Sequence, residues 1–83
     1  MKKNFTVVGM VGTGTKSAEV LMQEHNLDLD TAIITAANYA HELGISTDIR
    51  LIRDTLTTYG KYRHFDRVPC ERGRRYVAVI PKG

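Results

Sequence analysis

The spacing of apolar residues changes several times along the chain, and each change predicts a different element. Residues 4–11 are apolar and rich in β-branched side chains on both alternations, which predicts a strand covered on both faces. Gly9, Gly12 and Gly14 interrupt it. Thr15 is placed to cap a first helix from Lys16 to about His25, burying Ala18, Val20, Leu21 and Met22. After a turn over residues 26–30, Asp30 caps a second helix from Thr31 to Leu43, with Leu29 and Ile34 as a hydrophobic staple. Ile33, Ala36, Ala37, Ala40 and Leu43 recur at steps of three and four, so they share one face of it. Gly44 ends that helix, because glycine adopts positive φ without strain. Ser46 caps a third helix running to about Thr58, with Ile49, Ile52 and Leu56 inward, and Gly60 closes it. Residues 62–68 and 75–80 predict two strands, joined by hairpin-loop chemistry over residues 69–73, where Gly73 suits a left-handed position. The expectation is a single α+β domain over residues 1–83, in the order β-α-α-α-β-β. The first strand is free to join the hairpin in a three-stranded sheet.

Composition narrows the function classes. Eighty-three residues with 42% apolar and 25% charged side chains are ordinary for one small globular domain. A chain this short has a thin core and little room for an enclosed substrate cavity, so binding is expected rather than catalysis. No apolar stretch approaches the roughly 18 residues of a membrane span, and a secretory signal would take up a third of the protein. Cys70 is the single cysteine, which excludes an internal disulfide and suits a reducing cytoplasm. Charge is segregated along the chain: residues 1–60 hold five basic against seven acidic side chains, whereas residues 61–83 hold seven basic against two acidic. A positive field concentrated in the final quarter attracts polyanions.

The stretch from Ala40 to Ser46 matches a helix-turn-helix. Ala40 is small where a second helix packs close, Gly44 turns the chain four residues later, Ile45 plugs the turn and Ser46 opens the next helix. With the Ile52, Leu56 and Gly60 spacing, Asp66-Arg67-Val68-Pro69, Arg74-Arg75 and Pro81-Lys82-Gly83, residues 31–83 resemble the winged helix-turn-helix family, and the wing resembles that of MarR-like repressors. The resemblance implies a small winged helix-turn-helix fold that binds double-stranded DNA, as a transcriptional repressor or a phage or plasmid accessory factor, and as a homodimer on palindromic sites. Thr47, Arg50, Arg53, Asp54 and Thr57 would then face outward on the third helix, with Arg50 and Arg53 donating to guanine. Arg72, Arg74 and Arg75 of the wing would meet phosphates or the minor groove, with Lys61 and Arg63 adding phosphate contacts. Against base readout, Arg50 and Arg53 are also spaced to pair with Asp48 and Asp54 on their own helix.

Other motifs fall short of chemistry. Gly9 and Gly14 have the separation of a phosphate-binding loop, but Thr15 intrudes before Lys16-Ser17. His25, His41, His64 and Cys70 lack metal-ligand spacing, and Asp28-Leu29-Asp30 lacks the glycine and glutamate that a calcium loop needs. Tyr39, Tyr59, Tyr62 and Tyr76 read as boundary packing, better than as a base-stacking platform. No cofactor is expected. The alternative function is a protein-binding inhibitor or adaptor that docks on a larger complex, using the apolar first strand as an edge for strand addition.

Overall fold

A computed structural model describes residues 4–12, 19–65 and 74–82. Its elements are β1 (Asn4–Gly12), β2 (Glu19–Leu27), α1 (Leu29–Glu42), α2 (Ile49–Tyr59), β3 (Tyr62–Phe65) and β4 (Arg74–Lys82). The four strands form one antiparallel sheet in the order β2-β1-β4-β3. Both helices contact the sheet, and the buried residues of both join a single core with those of the strands.

This topology overturns the expected β-α-α-α-β-β winged helix-turn-helix. The segment expected to be a first helix is β2, an edge strand, over Glu19–Leu27; Thr15 and Lys16 lie outside the described residues. Good helix formers yield here to a tertiary demand. The β-branched run of β1 needs a hydrogen-bonded neighbour on each side, and β2 and β4 supply them. Two register shifts against β1 break the alternation of β2, one of them beside Asn26 at φ 61°. Without a helix in that position, nothing braces α1 and α2 as a three-helix unit; the sheet does so instead. The three-stranded sheet foreseen for the first strand and the hairpin is four-stranded, with β1 and β4 at its centre.

Other boundaries shift by a residue or two. Asp28, rather than Asp30, caps α1, its Oδ1 accepting from the Thr31 N–H at 2.8 Å. The proposed staple is absent, since Ile34 is 56% exposed. Asp48, rather than Ser46, caps α2 by accepting from the Arg50 N–H at 2.8 Å, and Gly60 closes that helix. The turn between the helices does form: Gly44 has φ +73°, Ala40 and Ile45 are buried, and the Ile45 N–H donates to the Ala40 carbonyl at 2.8 Å. Of the hairpin, the expected strand over 62–68 is described only to Phe65. Its expected loop, including Arg72 and Gly73, lies outside the described residues.

Alternation decides which side of each strand the helices cover. Phe5, Val7, Val77, Val79 and Tyr62 join Ile33, Ala36, Ala40, Ile52 and Leu56 in one core. Gly9 lies inside β1 instead of breaking it. A Cβ there would stand 3.0 Å from Met22 Cε and 3.2 Å from Leu43 Cδ1, so the missing side chain lets the end of α1 approach the sheet. Among the described residues, no helix is long and apolar enough to cross a membrane.

Candidate functional site: the open face of the sheet

Because Val7, Gly9, Val77, Val79 and Tyr62 face the helices, their neighbours along each strand face away from them. The open face therefore carries Thr6, Val8 and Met10 of β1, Arg74, Tyr76, Ala78 and Ile80 of β4, and Arg63 of β3, which is registered opposite Ala78. From β2 come Val20, registered opposite Met10, and Gln23, opposite Val8. His25 joins them, its Nδ1 lying 3.1 Å from Thr6 Oγ1. Val8 and Ala78 are buried even here, whereas Arg63 and Arg74 are exposed and Ile80 is 48% exposed. Phe65 is the register partner of Tyr76.

None of these open-face residues is acidic. The carboxylates of β2, Glu19 and Glu24, are registered opposite Val11 and Val7, on the helix side. Glu24 and partial burial together raise the pKa of Tyr39, with burial the larger cause. The helices and their caps hold Asp28, Asp30, Glu42, Asp48 and Asp54 against two arginines. Among the described residues the acids thus lie on the helix side, and Arg63 and Arg74 on the other.

The residues expected to touch DNA do not form one surface. Thr47 is partly buried, its Oγ1 3.0 Å from the Tyr62 hydroxyl, so it fastens the start of α2 to β3. Burial raises the pKa of Tyr62, and the hydrogen bond with Thr47 acts in the opposite direction. Arg50 and Arg53 lie on the helix layer, 3.9 Å from Asp48 and 3.6 Å from Asp30, in exposed pairs of small energetic weight. Thr57 Oγ1 donates to the Arg53 carbonyl at 2.9 Å, within its own helix. Arg75 is partly buried, on the helix side, with Nη1 3.5 Å from where a Gly44 Cβ would stand. Arg63 and Arg74 share the open face, and Lys61 precedes β3 at its rim. Arg72 and Cys70 lie outside the described residues.

Sequence reasoning picked out Arg63 and Arg74 by charge and passed over Tyr76, Met10, Gln23 and His25. The available signal was the alternation within Arg74-Arg75-Tyr76-Val77-Ala78-Val79-Ile80, which puts Arg74 and Tyr76 on the face opposite Val77 and Val79. Among the described residues, no group of three or more His, Cys, Asp or Glu is arranged to hold a metal ion. Comparison with known proteins finds no matching family model, curated protein or solved structure.

Proposed function

We propose that this protein binds nucleic acid on the open face of its sheet, with a preference for single strands. The observation that carries the reading is that, among the described residues, this face presents Arg63, Arg74 and Tyr76 and no carboxylate, while the acids lie on the helix side. Phosphates are drawn to such a face, and opposed acids do not repel them. A four-stranded surface does not enter a groove of duplex DNA as a lone helix or a two-stranded ribbon does. It does offer an extended strand room to lay its bases flat, with Tyr76 as a stacking ring and the arginines over the backbone. The winged-helix mode of duplex recognition drops out with the topology, but the attraction to nucleic acid does not depend on it. The single cysteine suits a reducing, cytoplasmic setting for this role.

Fluorescence anisotropy tests this with a labelled 12-nucleotide strand and the corresponding duplex, titrated from 50 to 300 mM salt. The single strand is expected to bind more tightly, with affinity falling as salt rises. Replacing Arg63 and Arg74 by alanine should shallow the log–log salt slope by about 1.4, at about 0.7 per phosphate contact on single strands. Absence of binding to either form at 50 mM salt overturns the reading, and tighter binding of the duplex overturns the single-strand preference. A second reading, a protein-docking module, draws on Ile34, Ile49 and Leu51, about half exposed on the two helices. It predicts a partner retained at high salt, where phosphate contacts fail.

A further inference from the structure

The open face does not stop at the edge strand. β3 is only four residues long and joins β4 no further along than the Tyr62–Val79 pair. Where it ends, a cleft of about 570 Å3 opens between the last turns of α2 and β4, lined by Thr55, Tyr59, Lys61, Tyr62, Arg63 and Ile80 among others. Its volume lies within the roughly 300–1,000 Å3 of small-molecule sites. The cleft's chemistry has two parts. Tyr59, 74% exposed, and Ile80, 48% exposed, offer an aromatic face and an aliphatic one. Lys61 and Arg63 bring two cations, and among the described residues no lining residue is acidic. An occupant must be flat and apolar on one side and anionic on the other. Arg63, Ala78 and Ile80 belong both to this cleft and to the open face, so the two are one continuous surface.

We propose that the cleft is a nucleotide subsite, which takes one unstacked nucleotide of the strand lying across the sheet. The base packs against Tyr59 and Ile80, and its phosphate lies between Lys61 and Arg63. This rests on the nucleic-acid reading and adds to it a position where a base leaves the stack. It also gives Tyr59 a role that packing does not, since a ring three-quarters exposed buries little apolar surface.

The test compares the wild type with Tyr59→Leu and Tyr76→Leu, using an oligothymidylate of eight nucleotides by anisotropy and thymidine monophosphate by NMR. Because Tyr59 is exposed, Tyr59→Leu is expected to keep the wild-type circular dichroism and melting temperature. It should bind the oligonucleotide about tenfold more weakly with an unchanged salt slope, as expected when stacking is lost and phosphate contacts are not. The mononucleotide should shift the amide signals of Tyr59, Lys61 and Ile80 in the wild type and not in the variant. Wild-type affinity for the oligonucleotide in Tyr59→Leu, alongside weakened binding in Tyr76→Leu, overturns the subsite and leaves the sheet reading standing. No binding by the wild type at low salt removes both.

Discussion

The hydrogen bond between Thr47 and Tyr62 allows a quantitative test of how α2 is held to the sheet. Tyr62 is 5% exposed and sits in the core, with its hydroxyl 3.0 Å from Thr47 Oγ1. Removing the hydroxyl in Tyr62→Phe loses one neutral hydrogen bond at a partly buried site, at a cost of about 1 kcal/mol. For a chain of 83 residues the unfolding entropy is about 0.17 kcal/mol/K, so the melting temperature should fall by about 6 °C. Thr47→Val should cost a similar amount. The double variant should cost little more than either one, giving a coupling of about 1 kcal/mol in a double-mutant cycle measured by urea denaturation. Burial of the same tyrosine sets an alkaline limb. Burial raises the Tyr62 pKa above 10.0, so above that pH the unfolded chain releases a proton that the folded chain retains. Stability is then fully present below pH 10 and declines as pH rises through the folded-state value. Tyr62→Phe should flatten this limb and leave the part due to Tyr39, whose pKa is also raised. Zero coupling in the cycle would refute this account of how α2 is anchored, and an alkaline limb unchanged in Tyr62→Phe would refute the burial of its hydroxyl.

Two further perturbations probe the helix layer. Ile52 is fully buried and Leu51 is 51% exposed, so Ile52→Ala should cost about 2–5 kcal/mol in denaturant titrations and Leu51→Ala within about 0.5 kcal/mol. Asp28→Ala removes the cap that accepts from the Thr31 N–H and should cost about 1 kcal/mol, seen as a lower urea midpoint with unchanged slope.

Both helices of the structure were legible in the sequence because their inner faces repeat at three- and four-residue steps, although their caps, Asp28 and Asp48, were each misplaced by two residues. β4 was legible from Val77, Val79 and Ile80, whereas β3 holds no β-branched residue and was read from its place before the hairpin-loop residues 69–73. β2 was not, for a physical reason: its two bulges erase the period of two, and Leu21, Met22, Gln23 and Glu24 are all good helix formers. That one segment hid the architecture, since as a helix it completes a three-helix unit and as a strand it completes a sheet. The candidate site suffered in turn. Arg63 and Arg74 stood out as charges, but the surface they share with Met10, Gln23 and Tyr76 exists only once β1, β2, β3 and β4 lie side by side. Reading the four tyrosines as packing describes Tyr62, buried in the core, and does not account for Tyr59.

The central pairing of β1 with β4 has a consequence for folding order. Val7 and Val79 are register partners 72 positions apart, and closing a loop of that length carries a length-dependent entropy cost of about 4 kcal/mol. Each local hairpin zips cheaply, but the seam joining them is the most distant contact in the molecule and sits in its middle. During synthesis β1 can pair with β2, but β3 has no neighbouring strand until β4 leaves the ribosome. Trimming that strand would split the protein down its centre, where trimming β2 would only shorten a border.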